Sequence, residues 1–418
     1  MYYFLVMIDI KKSNQTVNFI ISSALILFYL ADGINKYFQL RQSFAHEGDF
    51  SDSFSASIYL RFFYELIFLF LIYRFYDRER GKGIVILFAL FVSFLLGQLI
   101  FLLGYHDLDY SPVYHITVFN KYIFLFLIYY GIKDILNDQR VLMHVANILQ
   151  AIFVINSLLI FVGVIFQITL FKSYFAIDWR YGYDGLLGSI NEATLFYLIG
   201  ISFLYFKYIN TKKGVWSLWI CIFASLLMGA KAMYLFIFLL LTYHILVKAN
   251  IIQKVVTVGV LVLSGIAAIP ILFSDKFSFL YEAFIYTYDK EGLLYTITSG
   301  RSGFVMTKFI ANLDLWGPLN YLFGGTDQLK YYIEMDFLDG FLFLGVVGFI
   351  LLMALYFNTF FKGISFKSFR LFFCISYFLI AFLAGHFFAS AVNALYFNIA
   401  LFYIYAVENR LISSDINV

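Results

Sequence analysis

Charged residues are scarce in this chain. They make up 13% of its 418 residues, where a soluble domain carries about 25%. That deficit excludes a water-soluble globular protein, and the apolar excess that accompanies it excludes a disordered one. Cysteine is scarcer still: Cys221 and Cys374 are the only two, each inside an apolar run. No disulfide framework is possible, and the thiols do not report the redox compartment. A net charge of +3 is too weak a field to argue for nucleic acid as a partner. Internal repeats, low-complexity linkers and soluble appendages are absent. Lys11 and Lys12 precede the first apolar run without a small-residue cleavage site, so a retained membrane start is expected and not a cleaved signal peptide.

What is abundant is apolar surface, at 62% of residues. With about 20 residues per bilayer crossing, this predicts an all-α integral membrane protein of about twelve transmembrane helices. The runs place spans at 15–32, 57–74, 83–104, 114–132, 146–170, 191–207, 214–229, 232–247, 255–273, 338–358, 369–385 and 388–406. The whole chain, 1–418, reads as one polytopic membrane domain, with a long segment at 274–337 between the ninth and tenth spans. Aromatics reach 22%, with 54 Phe and 34 Tyr; both have AT-rich codons, and genomic base composition accounts for them without a functional reason. Seventeen Lys and Arg fall in the alternate loops that begin with Lys11 and Lys12. Only five, Lys36, Arg41, Lys172, Arg180 and Lys231, fall in the other short loops. Positive residues stay inside, so both termini are expected in the cytoplasm and 274–337 outside. That segment is rich in Phe, Tyr, Leu and Trp, which suits a cap or binding element better than a floppy linker.

The polar residues sort by position. Arg61 and Glu65 stand one helical turn apart in the second span and are expected to neutralise each other inside the bundle. Lys121, near the outer end of its span, is expected to snorkel. The outer face is richer. It carries Asp178-Trp179-Arg180-Tyr181-Gly182-Tyr183-Asp184-Gly185, then Gly188 and Asn191, then Gly229-Ala230-Lys231. The long segment adds Ser299-Gly300-Arg301, with Ser299 as an expected N-cap and Arg301 in the first turn, an arrangement that suits an anion. Phe304, Val305, Met306, Phe309, Ile310 and Leu313 follow as one apolar face of an interfacial helix. The segment closes with Phe323-Gly324-Gly325 and Glu334-Met335-Asp336-Phe337-Leu338-Asp339. Gly345 and Gly348 lie in the next span, and Gly385-His386 in the last outer turn. Three cations, three carboxylates and one His thus share one side of the membrane. Cations without a metal cage suit a diphosphate leaving group, a carboxylate suits deprotonation of an attacking hydroxyl, and the location suits a lipid-linked donor.

With this ordered set over residues 180–390, the chain resembles the bacterial O-antigen polymerase and ligase family, specifically its Wzy-type polysaccharide polymerases. The resemblance implies polymerisation of undecaprenyl-diphosphate-linked repeat units at the outer face of the bacterial cytoplasmic membrane, for O-antigen, capsule or exopolysaccharide. Its partners would be those lipids and a chain-length regulator, with no cofactor and no metal. From their shared outer face and the helix start at Ser299, Arg301, Arg180 and Lys231 are expected to bind the diphosphates, with Ser299, Asp339 and Asn191 in further substrate contacts. Asp336 is the expected base, with Glu334 beside it and His386 as the alternative. Ligases of the family carry a His-Asn pair where this chain has Glu334-Met335-Asp336, which favours a polymerase over a ligase. A lipid-linked oligosaccharide flippase needs a similar number of spans, but transporters place ionisable residues near the midplane. Asp107-Leu108-Asp109 has the spacing of a cation-binding pair and would mark a metal-dependent glycosyltransferase of another branch.

Overall fold

The structure is a computed structural model that describes residues 2–45, 56–104, 111–134, 138–174, 181–252, 254, 259, 278–298, 300–385, 388 and 390–409. Among these no β-strand forms, and extended pairing is confined to the bridge between Lys172 and Tyr183. Among the described residues, nine stretches of helix are long and apolar enough to cross a membrane. They comprise α1 (Tyr2–Ala45, apolar over Gln15–Gln42), α2 (Ala56–Arg74), α3 (Arg78–Gly104), α4 (Pro112–Ile132), α5 (Gln139–Phe166) and α6 (Ile190–Thr211). After the shorter apolar α7 (Val215–Leu226), α8 (Lys231–Tyr243) runs through a π turn to Lys248. The remainder are α14 (Asp336–Tyr356, extended by a π turn to Phe361) and α16 (Ala391–Glu408), separated by the shorter α15 (Phe369–Ala384). The expected span at 255–273 falls almost wholly outside the described residues. The first span is longer than expected, because Asp32 and Lys36 interrupt its apolar run yet are buried.

The exterior of the bundle is apolar. Leu66, Phe70 and Tyr73 on α2, Phe88 and Leu103 on α3 and Phe238 on α8 all stand exposed. Such a surface matches hydrocarbon and not water, and the chain is a multi-pass helical membrane protein. At the centre lie α6 and α16, apolar and buried around most of their circumference. The polar groups on α16 are spent on neighbouring helices. Asn398 Nδ2 donates to the Leu125 carbonyl at 3.0 Å and the Tyr396 hydroxyl to the Leu25 carbonyl at 3.0 Å. Interhelical bonds of this kind typically contribute about 0.6 kcal/mol each in a membrane. The many aromatics fill the space between helices, as in Phe94 on Phe119 (centroids 4.5 Å) and Tyr377 on Phe397 (4.3 Å).

The segment expected to lie outside is mostly helical where described, with irregular backbone at 315–317, 324–327 and 332–335: α9 (Ser278–Thr298, broken at Gly292), α10 (Arg301–Phe304), a π turn, α11 (Ala311–Asp314), α12 (Pro318–Phe323) and α13 (Gln328–Tyr331). The apolar face expected over 304–313 divides in two. Val305, Phe309 and Leu313 pack on a small core of Trp316, Ile333, Met335 and Leu342. Phe304, Met306 and Ile310 stay exposed. The stretch 318–327 wedges between α3 and α14 at a crossing that only glycine permits. A Cβ on Gly97 would stand 2.2 Å from the Phe323 carbonyl oxygen, and one on Gly345 would stand 2.3 Å from the Gly324 nitrogen. Gly324 and Gly345 also hold φ of +73° and +66°, a region closed to most side chains. The irregular backbone is satisfied inside the protein: Asn320 Nδ2 donates to the Gly324 carbonyl (3.1 Å), and Thr326 Oγ1 to the Leu342 carbonyl (2.9 Å).

The two ends of the bundle differ. At one, where α2, α4, α6 and α14 begin, the described part of the α5–α6 connection and the stretch before α14 fold back into the protein, burying Tyr183, Leu187 and Ile333. At the other, Arg80 binds Asp134 (2.6 Å) and Asp77 (3.0 Å), while Lys133 binds Asp77 and Glu79 (2.9 Å each).

Candidate functional site

The first end collects the polar residues in two layers. Its rim begins with the connection from α5 to α6. Lys36 of α1 forms a fully buried ion pair with Asp184 and also donates to the Gly185 carbonyl at 2.8 Å. Asn156 of α5 donates to the Asp184 carbonyl (3.1 Å), while its Oδ1 accepts from Leu186 N–H (3.1 Å) and the Tyr29 hydroxyl (2.9 Å). The α7–α8 turn is stitched to the same connection. Tyr183 N–H donates to the Leu227 carbonyl (3.1 Å), and a Cβ on Gly229 would meet the Tyr181 carbonyl oxygen at 2.5 Å. These glycines therefore serve loop-to-loop packing. Lys36, expected in a loop, is instead the buried anchor that holds the connection down.

So fixed, the connection delivers α6 with Ser189 as N-cap and Asn191 and Glu192 in its first turn. Arg301 reaches this point from α10. Its Nη2 lies 3.5 Å from Asn191 Oδ1 and 3.4 Å from Glu334 Oε2, with the two charged side chains 15% and 42% exposed. Those lengths sit at the long edge of hydrogen bonding. The residue before this helix is Gly300, with φ of +89° and no side-chain cap. The expected N-cap, Ser299, lies outside the described residues, as do Arg180, His386 and the Asp107/Asp109 pair.

Asp336 and Asp339 start α14 and are 3% and 2% exposed. Asp339 accepts from Ile333 N–H (2.8 Å) and Met335 N–H (3.0 Å), and Asp336 accepts from Phe388 N–H (3.1 Å). Both carboxylates thus tie down backbone that would otherwise be orphaned, with the helix dipole in their favour. Burial first, then the Asp336 and Asp339 carboxylates, pushes the Tyr332 phenol above its ordinary range, which keeps it a donor. Glu334 holds a φ of +66° and its carbonyl presses on Gly385. The turn from α15 to α16 therefore touches three parts of the rim: Gly385 meets Glu334, Phe388 meets Asp336, and Ser390 hydrogen-bonds Glu192. Lys231 starts α8 and donates to the Thr296 carbonyl at 2.9 Å, joining α8 to the end of α9 just before Arg301.

Beneath the rim lies a second layer that the sequence reading broke into separate pieces. Arg61 is within Coulomb reach of Glu65, Glu192 and Asp32, and Lys121 within reach of Arg61 and Glu192. Glu65 also accepts from Asn120 Nδ2 at 3.3 Å. Arg61 and Glu65 are therefore not a self-contained pair, and Lys121 turns toward the bundle interior instead of snorkelling outward. Asp32 and Glu192 were missed. Each is an ionisable residue in or at the start of an apolar helix, and that alone marks a functional candidate.

Of the residues expected to form the site, the structure joins Arg301, Glu334 and Asn191 directly and sets Asp336 and Asp339 beside them as backbone caps. Lys231 is linked through Thr296. The chain matches no family model and no curated protein.

Proposed function

We infer that the protein is a glycosyltransferase that polymerises undecaprenyl-diphosphate-linked oligosaccharide repeat units, acting at the outer face of a bacterial cytoplasmic membrane with both termini in the cytoplasm. The observation that carries this reading is the partly exposed Arg301, facing Asn191 and Glu334 at the end of a lipid-facing bundle. A guanidinium in that position offers a planar, bidentate partner to a diphosphate and stabilises the charge that develops as the diphosphate leaves. Lys231 and Arg180 supply further positive charge to the lipid-linked chains. Carboxylates near the guanidinium provide the proton acceptor that an attacking sugar hydroxyl needs. Asp336, the base expected from sequence, already holds a backbone N–H, so Glu334 is the more accessible of the two.

A flippase of lipid-linked oligosaccharides is the second reading, favoured by the charged layer beneath the rim, since transporters place such groups inside the bundle. Growth of lipid-linked units by the purified protein in liposomes separates the two, and Arg301 variants test the site. Loss of a charge-assisted contact costs about 1.5–3 kcal/mol, so Arg301→Ala at equal membrane level lowers polymer yield at least about tenfold. Arg301→Lys rescues poorly, because an ammonium lacks the fork. Polymer of normal length and yield from Arg301→Ala refutes the assignment.

A further inference from the structure

The end of the bundle opposite Arg301 has a cavity of about 380 Å³ between the start of α3 and the end of α14, lined by Arg78, Glu79, Lys82 and Lys362. The carboxylates described at this end are engaged elsewhere. Asp77 and Asp134 hold Arg80, while Asp77 and Glu79 hold Lys133. Asp138 accepts from the N–H groups of Arg140 (3.0 Å) and Val141 (3.3 Å), and Glu408 from Phe369 N–H (2.7 Å). Even Glu79, on the cavity wall, is turned to Lys133 at 2.9 Å. Among the described residues, therefore, no carboxylate pairs with the side chains of Arg78, Lys82 or Lys362. Three cations that share one cavity repel one another, and an anion between them relieves the repulsion.

The position of these cations in the membrane follows from helix geometry. Along α3, Arg78, Lys82, Val85, Val92, Leu99 and Leu103 are spaced by four, three, seven, seven and four residues, the repeat of a single helical face. Its four apolar members are exposed, so the face that begins with two cations is one that meets hydrocarbon. From Val85 to Leu103 the stripe runs about 27 Å at about 1.5 Å per residue, close to the roughly 30 Å of a bilayer's hydrocarbon core. Lys82 and Arg78 then fall about 5 and 10 Å beyond its end, at the level of lipid phosphates. On α14, Ile350 and Phe357 are exposed and seven residues apart, and Lys362 follows shortly after them. The next loop carries Phe366, 95% exposed, between Lys362 and Lys367, an apolar ring among cations that suits the same boundary.

We propose that this cavity binds the phosphate of an anionic membrane phospholipid, held by Arg78 and Lys82 of α3 and Lys362 after α14, with the acyl chains along the exposed faces of those helices. Basic pockets between membrane helices hold anionic headgroups in this way. The Arg78 guanidinium supplies a fork for two phosphate oxygens, and the two ammonium groups act as point charges. A free phosphate ion would meet the same charges but none of the apolar stripe, and exposed charges alone hold a partner weakly. The lipid would bridge α3 to α14, the pair that clamps the 318–327 stretch nearer the other end through Gly97 and Gly345. The binding is independent of the reaction proposed for that other end.

The test uses the full-length protein, purified and stripped of lipid in a neutral detergent, with retained phospholipid counted by native mass spectrometry. Phosphatidylglycerol and phosphatidylcholine with the same acyl chains are compared, and inorganic phosphate is offered as a competitor. The native protein is expected to retain phosphatidylglycerol at least about tenfold better than phosphatidylcholine, with inorganic phosphate failing to displace it. Arg78→Gln/Lys82→Gln/Lys362→Gln is expected to lose that preference. Arg140→Gln/Lys213→Gln/Lys248→Gln, which removes three exposed cations at the same end but off the cavity, is expected to keep it. Equal retention of the two lipids by the native protein overturns the proposal and leaves apolar contact alone. Equal loss of preference in both triple variants overturns it in favour of diffuse surface charge. Displacement of phosphatidylglycerol by inorganic phosphate overturns the lipid as the occupant.

Discussion

Replacing Lys36 by Met tests whether the α5–α6 connection is held by one buried ion pair. The substitution keeps the apolar stem and removes the ammonium, deleting the contact to Asp184 and the bond to the Gly185 carbonyl. What remains is a carboxylate fully out of water. Breaking a buried pair from one side costs about 3–5 kcal/mol, and at about 1.36 kcal/mol per decade the detached loop becomes about 150- to 5000-fold more populated. Leu187, buried in the same connection, reports this once changed to Cys, because both native cysteines are buried. When opening and closing are fast, maleimide labelling at position 187 follows the open population. Burial already pushes the Asp184 carboxyl up to about 7 despite the Lys36 contact. Without Lys36 the closed form keeps a proton that the open form releases above its ordinary range, so closure weakens as pH rises, by at most about 1.36 kcal/mol per unit. Labelling of Lys36→Met, taken relative to Lys36→Met/Asp184→Asn, is therefore expected to climb up to about tenfold per pH unit from pH 5 toward 8. The double variant is expected to recover most of the protection. Labelling of the single variant at the native rate, or a double variant as reactive as the single, refutes the reasoning.

The α3–α12–α14 crossing predicts that Gly97→Ala, whose methyl would meet the Phe323 carbonyl at 2.2 Å, sharply lowers the monodisperse fraction in size-exclusion chromatography. Gly104→Ala on the same helix, with nothing within 4 Å, is expected to leave it unchanged. Asp339→Asn keeps one acceptor oxygen for the two N–H groups of Ile333 and Met335, at a cost of about 1–3 kcal/mol. Its activity loss should be recovered at lower temperature, which an Arg301→Ala loss should not. At the other end, burial raises the Asp77 carboxyl, but hydrogen bonds from Arg80 and Lys133 outweigh it and hold the group below its ordinary range. Its contribution is thus present above the usual carboxylate pKa and lost as pH falls below about 4. Asp77→Asn should flatten that acid limb of thermal stability in detergent.

The helices were legible because lipid demands long apolar runs, and nearly every expected span in the described residues has a helix at its place. The first span was cut short at Asp32, since polarity in sequence cannot announce a buried partner 148 positions away such as Asp184 for Lys36. Arg301, Glu334 and Asn191 stood out in the sequence as members of one polar set, but their mutual contact comes only from the fold. The duties of Asp336 and Asp339 were not, because a carboxylate that caps backbone and one that awaits a proton have the same letter. Gly324, Gly325 and Gly345 stood out as a motif, while their partner Gly97 was hidden in an ordinary-looking span. The interior layer was missed for a related reason. Arg61 and Glu65 look complete as a helical pair, and only the tertiary approach of α1, α4 and α6 shows that Arg61 also serves Asp32 and Glu192.

The central claim is that this bundle lengthens lipid-linked oligosaccharides. Its most direct test is to reconstitute the purified protein into liposomes with undecaprenyl-diphosphate-linked repeat units isolated from the source cells, and to resolve the products by mass spectrometry. The account predicts chains of two or more repeats together with released undecaprenyl diphosphate, and neither product from Arg301→Ala. Units that change leaflet without growing, or chains that lengthen equally well with Arg301→Ala, would contradict it.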